Sequence, residues 1–276
     1  MIRSGLLGRS ILASRSPWLH EQEAAAQGLA LTYELFDFTD RGWDDARLAA
    51  TVAELVAAGF SGCNVTYPFK QAVMPLLDEL AGSAQAVGAV NTIVIRDGRT
   101  IGHNTDMGGF RQGLIDGLPG AELGHVLQLG AGGAGAAVAS ALLSLGCRRL
   151  DLCDLDAARA EDLARQLRRT YGAAEVHVRA AGDHDTAGVT GIVNSTPIGM
   201  VAAPGLPIDP ARLHEGLWVA DIVYFPLETE LLAAAARLGC RTLNGSGMVI
   251  GQAAEAFTLI TGHAADRDRM RRRFLG

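Results

Sequence analysis

An α/β protein of two domains is what this sequence predicts, on three observations. Strand-like apolar runs alternate with helical stretches along nearly the whole chain. A glycine-rich turn stands between one such run and the helix that follows it. The length, 276 residues, is close to two domains of about 150 residues each.

The elements follow in order. Ile2 to Gly8 reads as a short strand. Pro17 opens a helix to about Gln27, with Ser16 expected as its N-cap. Leu31 to Phe36 alternates and ends at Asp37, a strand. Asp44 to Ala58 has helical spacing, with Leu48, Val52, Leu55 and Val56 on one face. Phe60 to Val65 reads as a strand, and Pro68 suits a first helical turn. Val90 to Ile95, Asp97-Gly98 and Thr100 to Gly102 form a hairpin with a primed turn. Asp106 to Leu118 is helical. Strands at 126–129, 149–153, 175–178, 191–194 and 218–222 then alternate with helices at 133–145 and 156–170, the pattern of a parallel sheet. A helix at 231–238, a strand near Thr242 and helices at 248–261 and 266–274 close the chain. The stretch 202–207 reads as a surface loop.

Composition narrows the function. Apolar residues make up 49% and charged residues 20%, so a packed core offsets the entropy of ordering and disorder is excluded over most of the chain. The net charge of −6 gives no general attraction to nucleic acid or to an anionic membrane. Arg9 interrupts the N-terminal apolar stretch too early for a signal peptide. The longest uncharged segment, 123–147, carries a glycine cluster that suits a strand, turn and helix better than a membrane span. Cys63, Cys147, Cys153 and Cys240 are too scattered for a disulfide framework or a zinc site and are expected as free thiols in the cytoplasm. The histidines lack ligand spacing, Asp183-His184-Asp185 reads as a solvated loop, and no metal is expected.

The glycine turn is Gly130-Ala131-Gly132-Gly133-Ala134-Gly135. It follows the strand Val126 to Leu129 and opens a small-residue helix, the context in which G-x-G-x-x-G binds a dinucleotide. The first glycine allows the tight turn, the second lets the backbone approach a pyrophosphate, and the third lets helix pack on strand. The pyrophosphate would rest on unpaired N–H groups at the helix start. The next strand ends at Asp154, 24 residues past Gly130, where an acid can hold the ribose hydroxyls.

Polar clusters recur at the predicted strand ends: Ser14 to Pro17, Asn64 to Lys70, Asn91-Thr92 and Asn104 to Asp106. Serines at a helix start can hold a carboxylate, and Asn, Thr and Asp suit the hydroxyls of a polyol. The same residue types also serve as caps and turns. Lys70 is the only lysine among 24 basic residues. Arginine keeps its proton at working pH, whereas a desolvated lysine can give it up, so Lys70 with Asp106 would make a proton-transferring pair.

These clusters resemble the shikimate dehydrogenase family, within it the quinate/shikimate dehydrogenases. The similarity spans nearly the whole chain through eight elements in the family's order. They are S-x-S-P at Ser14 to Pro17, N-V-T-x-P-F-K at Asn64 to Lys70, Gly88 to Thr92, Gly102 to Asp106, the loop Gly130 to Ala134, Asn194 to Met200, Asp221 to Tyr224, and Asn244 to Met248 with Gln252.

The resemblance implies two α/β domains. A substrate-binding and catalytic domain would take residues 1–107 with returning helices at 247–276, and a Rossmann-type dinucleotide-binding domain residues 108–246. It implies reversible hydride transfer between a nicotinamide cofactor and a ring hydroxyl of shikimate or quinate. The ketone partners would be 3-dehydroshikimate or 3-dehydroquinate, and aromatic amino acid biosynthesis the pathway. Lys70 would be the acid/base and Asp106 its partner. Ser14 and Ser16 would bind the substrate carboxylate. Thr66, Asn91, Asp106, Tyr224 and Gln252 would bind hydroxyls or the carboxylate. Gly130, Ala131, Gly132, Gly133, Ala134, Asp154 and Arg159 would hold the cofactor, with Ile222 and Gly245 lining the nicotinamide side. The family's NADP-using members commonly carry Asn-Arg-Thr where this chain has Asp154-Leu155-Asp156, which favours NAD, while Arg159, at a position that can contribute to phosphate binding, keeps NADP open as the less favoured cofactor. Ser16 leans toward shikimate, since quinate-preferring relatives have threonine there; quinate and an amino analogue stay open. The expected partner is a small cyclic hydroxy acid, with no nucleic acid or membrane, on a monomer or homodimer. Two other readings are kept: a folate-type methylene dehydrogenase, and a non-catalytic ligand-sensing relative.

Overall fold

The computed structural model describes residues 1–172 and 174–276. The chain divides into two compact units, Met1–Thr105 with Ile250–Gly276, and Asp106–Val249. Both are α/β, as the sequence predicts.

The first unit opens with β1 (Ile2–Gly8), α1 (Ser16–Ala26), β2 (Leu31–Asp37), a 3-10 turn over Asp45–Arg47, α2 (Leu48–Ala57) and β3 (Gly62–Val65). It continues with α3 (Phe69–Ala72), β4 (Glu79–Leu80), α4 (Gly82–Val87), β5 (Thr92–Arg96) and β6 (Arg99–His103). The sheet order is β2-β1-β3-β5-β6-β4. Strands β1, β2 and β3 run parallel, while β5 is antiparallel to β3 and β6. The hairpin turn takes positive φ at Asp97 and Gly98, as the primed turn requires. A cluster of Leu7, Phe38, Val52, Leu55, Cys63, Phe69, Val73 and Ile93 packs α2 and α3 on this sheet.

Two expectations for this unit are corrected, and two short elements are added. Ser16 does not cap α1: Arg15 holds the N-cap position without a side-chain bond, and the Ser14 hydroxyl accepts from Ser16 N at 3.2 Å. The helix expected over 44–58 begins as the 3-10 turn, because the Asp44 carboxylate accepts from Ala46 N and tightens the chain there. The short β4 and α4 carry too little periodicity to be read from sequence; Thr100 and Asp78 fix that segment by mutual hydrogen bonds.

The second unit begins in α5 (Thr105–Gly117) and holds β7 (His125–Leu129), α6 (Gly133–Ser144), β8 (Arg149–Cys153), α7 (Ala157–Thr170) and β9 (Glu175–Arg179). Then come β10 (Gly191–Asn194), β11 (Trp218–Asp221), α8 (Glu230–Arg237) and β12 (Arg241–Leu243). Its sheet is wholly parallel in the order β12-β11-β10-β7-β8-β9. That is the doubly wound dinucleotide-binding order, and the chain switches direction between β7 and β10. The loops after those two strands meet: a Cβ on Gly130 would touch Ser195 O at 2.8 Å.

Helix α9 (Ser246–Thr261) carries the chain back into the first unit, and α10 (Arg267–Leu275) packs on α1. The fully buried Glu23 carboxylate of α1 receives Arg269 at 2.6 and 2.8 Å and Asp266 N at 2.9 Å. Among the described residues no helix is long and apolar enough to cross a membrane.

His20 on α1 is buried, with its ring 4.9 Å from that of Tyr33 and 6.1 Å from that of Phe257. Burial lowers its pKa to about 4, so the folded state holds it neutral. The unfolded chain takes up that proton at about 6.5. The contribution is therefore intact above pH 6.5 and is lost as pH falls toward 4, by on the order of 3 kcal/mol. The His20→Leu variant should show a flatter loss of stability from pH 6.5 to 4 in denaturant titrations; parallel profiles would refute this.

Candidate active site and dinucleotide loop

In the second unit the glycine loop leaves β7 at the switch point. Gly130 turns with φ of +95°, a conformation costly for any side chain but glycine. Gly132 is the N-cap of α6 and gives it no side-chain cap, so the first N–H groups of the helix are left for a ligand. A Cβ at Gly132 would enter open space. That cradle fits a pyrophosphate.

Asp154, just past β8, bounds the loop on one side. Its Oδ2 accepts from Ala131 N at 2.6 Å; its Oδ1 accepts from Asp156 N and from the Arg159 guanidinium, each at 2.8 Å. These donors hold its carboxyl below the usual range against the opposing effect of burial. The Asp156 carboxylate caps α7 through Arg159 N. Gly130 to Ala134, Asp154 and Arg159 thus come together at one corner, as the sequence predicts for a dinucleotide. Leu155 beside them is almost fully exposed.

Beyond β10 and β11 a second group assembles. The Asn194 amide donates to Asp221 Oδ1 at 2.9 Å and to Ile198 O, and accepts from Thr196 N and Oγ1. Asp221 also accepts from Thr229 Oγ1 at 2.7 Å and Val223 N at 3.0 Å. It is buried among these neutral donors, and desolvation raises its pKa. This fixes the backbone of Ile222 and Val223. Gly245 N donates to Val223 O at 3.1 Å, and a Cβ on Gly245 would collide with Ile222 O. Ile222 and Gly245 are therefore neighbours, and Tyr224 follows half exposed.

In the first unit the polar clusters are tied into one chain of hydrogen bonds. The Tyr33 hydroxyl bonds the Ser16 side chain and donates to Asn64 Oδ1 at 2.9 Å. Asn64 Nδ2 donates to Thr92 Oγ1 at 3.0 Å. Thr92 Oγ1 donates to Asn91 Oδ1, and Asn91 holds Thr105 through its N–H at 2.8 Å and its hydroxyl at 3.0 Å. Asp106 follows at once, buried in the first turn of α5. Thr66 is partly exposed at the end of β3, and its carbonyl accepts from Phe69 N. Lys70 lies partly buried on α3, anchored where Val90 N donates to its carbonyl at 2.8 Å. Gln252 is partly buried on α9 in the same unit. Ser14, Ser16, Thr66, Lys70, Asn91 and Gln252 belong to the first unit; Asp106, Tyr224 and the dinucleotide residues belong to the second.

Sequence reasoning gave no role in the site to several residues that build these places. Tyr33, Asn194 and Asp221 sit at buried strand positions. Asp37 ends β2, and its carboxylate accepts from Ser10 N, Ile11 N and Thr39 N at 2.7 to 2.9 Å, which pins the loop leading to Ser14. The signal available was a polar residue closing an otherwise apolar strand.

Comparison with known proteins now bears on these arrangements. The family model for the shikimate dehydrogenase substrate binding domain matches residues 6–93, and that for the shikimate 5'-dehydrogenase C-terminal domain matches residues 245–273. The quinate/shikimate dehydrogenase (NAD(+)) of Corynebacterium efficiens is 49% identical over 279 residues, covering 98% of this chain and 96% of the relative. The chain belongs to the shikimate dehydrogenase family. The shikimate dehydrogenase (NADP(+)) of Arthrobacter sp. (strain FB24) is 46% identical over 98% of this chain and 93% of its own length. The solved quinate dehydrogenase from Corynebacterium glutamicum, in complex with NAD, superposes with a TM-score of 0.94 at 46% identity, covering 99% of this chain and 98% of that one. Membership of the shikimate dehydrogenase family leaves the folate-type and ligand-sensing readings without support.

Asp37→Ala strands four backbone N–H groups, those of Ser10 and Ile11 in the loop before Ser14 and those of Thr39 and Asp40 beside it. Stability should fall by about 2–3 kcal/mol, the cost of leaving buried donors unpaired. Chemical denaturation measures this; a loss under about 0.5 kcal/mol, the usual size of an inconsequential surface change, would show the loop is held otherwise.

Proposed function

We propose that this chain catalyses reversible hydride transfer between NAD and one ring hydroxyl of shikimate or quinate. The observation that carries the proposal is the chain of hydrogen bonds from Ser16 through Tyr33, Asn64, Thr92 and Asn91 to Thr105. It joins the predicted carboxylate-binding serines to the segment carrying Asp106, with neutral donors and acceptors suited to a polyol acid. The relatives that are quinate/shikimate dehydrogenases (NAD(+)) and the quinate dehydrogenase in complex with NAD support the same substrate class and cofactor.

When bound, the nicotinamide supplies the hydride acceptor or donor. The protein's own residues supply position and a route for the proton. Ser14 and Ser16 hold the substrate carboxylate. Thr66, Asn91, Tyr224 and Gln252 hold the acid by its hydroxyls or carboxylate. The Lys70 amine takes the proton of the reacting hydroxyl as the hydride leaves, and returns it in reduction. Asp106 is its partner in the transfer, a carboxylate that steadies the ammonium that forms. Ile222 and Gly245 line the nicotinamide side. The enzyme acts in the cytoplasm on a small cyclic hydroxy acid, as a monomer or homodimer, without nucleic acid or membrane.

Lys70→Ala should lower kcat by about 10²–10⁴, the usual contribution of a placed acid/base, with little change in binding of the acid. Lys70→Arg should not restore the rate, because guanidinium keeps its proton. A Lys70→Ala enzyme with near-normal kcat would end the assignment.

Asp154 sets the cofactor. NADP would bring a phosphate against this carboxylate, and the nearby Arg159 is already engaged by it at 2.8 Å. NAD should therefore be favoured by about tenfold to a thousandfold in kcat/KM. Replacing Asp154, Leu155 and Asp156 with Asn, Arg and Thr should shrink or reverse that ratio. Steady-state rates with both cofactors decide the point, and equal values in the parent enzyme would refute it.

A further inference from the structure

We propose that Gln128 is a positioning residue that sets the shape of the dinucleotide loop and the stance of Asp154; the proposal rests on the cofactor reading above. Strand β7 lies inside a wholly parallel sheet, a place where both faces are covered and strands run apolar. Val126, Leu127 and Leu129 keep that rule, and Gln128 among them is fully buried yet polar.

Its amide nitrogen donates both protons, one to Gly130 O and one to Gly135 O, each at 2.9 Å. Its own oxygen, Oε1, is buried with no partner among the described residues. A buried unpaired acceptor is unfavourable, and leucine at this position would avoid it. Fold stability does not account for the amide; the two carbonyls it holds do.

Those carbonyls act on the loop through their peptide planes. A trans peptide points its C=O and N–H in opposite directions. With Gly130 O drawn to Gln128, the N–H of the same peptide, that of Ala131, faces the other way and donates to Asp154 Oδ2 at 2.6 Å. With Gly135 O drawn to Gln128, the N–H of its peptide, that of Ala136, closes the first turn of α6 on Gly132 O at 2.8 Å. One side chain thus braces both ends of the glycine loop and, through a single peptide, the carboxylate that faces the adenosine ribose.

The test compares Gln128→Leu and Gln128→Glu with the parent by fluorescence titration of NADH and NADPH and by steady-state kinetics with shikimate and quinate. The leucine variant should bind NADH about tenfold more weakly, the effect of losing two hydrogen bonds of ordinary strength. Its NADH-over-NADPH preference should narrow, because Asp154 loses its brace. KM for the acid should stay within about twofold and the melting temperature should hold or rise. The glutamate variant, ionised, donates to neither carbonyl. Its NADH affinity should fall at least as far and recover in part as pH drops and the carboxyl regains one proton to donate. Unchanged NADH affinity in both variants would overturn the proposal while leaving the cofactor reading intact. Equal losses toward the acid and NADH, with a lowered melting temperature, would overturn it in favour of a general structural role. A parent enzyme that binds neither dinucleotide would overturn the cofactor reading and this proposal together.

Discussion

The first unit depends on a buried run of side-chain hydrogen bonds from the Tyr33 hydroxyl to Thr105. Asn64, Asn91, Thr92 and Thr105 are all buried, where an unpaired amide or hydroxyl is costly. Each satisfies the next, so the group holds together only as a whole. Strands β2, β3 and β5 and the start of α5 are fixed against one another by this run, and Thr66, Asn91 and Asp106 stand on or next to those segments. Asn91 shows the consequence most clearly. Its amide is taken up with Thr105 and Thr92 inside the protein, so it shapes the site as much as it can face a substrate.

The second unit solves the same problem around Asn194 and Asp221. Asp221 is surrounded by neutral donors and desolvation lifts its pKa, whereas Asp151 in β8 receives Arg149, Arg179 and His125 and is held far below the carboxylate range. The two aspartates differ in their neighbours. Asp151 is an electrostatic clasp across β7, β8 and β9. Asp221 is a hydrogen-bond hub that fixes the loops after β10 and β11, from which Ile222 and Tyr224 project. Three donors converge on the Asp221 carboxyl and offset part of the cost of its burial.

The near-absence of lysine also has a structural side. Arg3 stacks over Phe60 at 4.3 Å, Arg47 over Trp43 at 4.4 Å, Arg41 over Phe36 at 4.8 Å, and Arg15 over Phe274 at 4.9 Å. A planar guanidinium suits such faces better than a compact ammonium. Part of the preference for arginine thus follows from packing. Lys70 still stands apart as the one lysine in the sequence.

The sequence by itself determined the α/β class, almost every strand and helix, and the dinucleotide loop. Period and glycine spacing are local properties, and local sterics enforce them. The parallel strands from 126 onward were legible because each is a short apolar run bounded by turn residues. The segment 79–87 was not, since its two elements are too short to show a period and are held by Asp78 and Thr100 from outside. The site was legible as four polar clusters, and Lys70 as the odd cation. Which residues in those clusters hold the frame was decided by tertiary structure alone. Ser14, Asn91 and Asp37 look alike on paper as cap or turn residues. Only burial and partner geometry separate the Asp37 carboxylate, spent on four backbone N–H groups, from the Ser14 hydroxyl, which accepts one N–H and stays partly exposed. A hydrogen bond needs two ends, and the sequence shows only one of them.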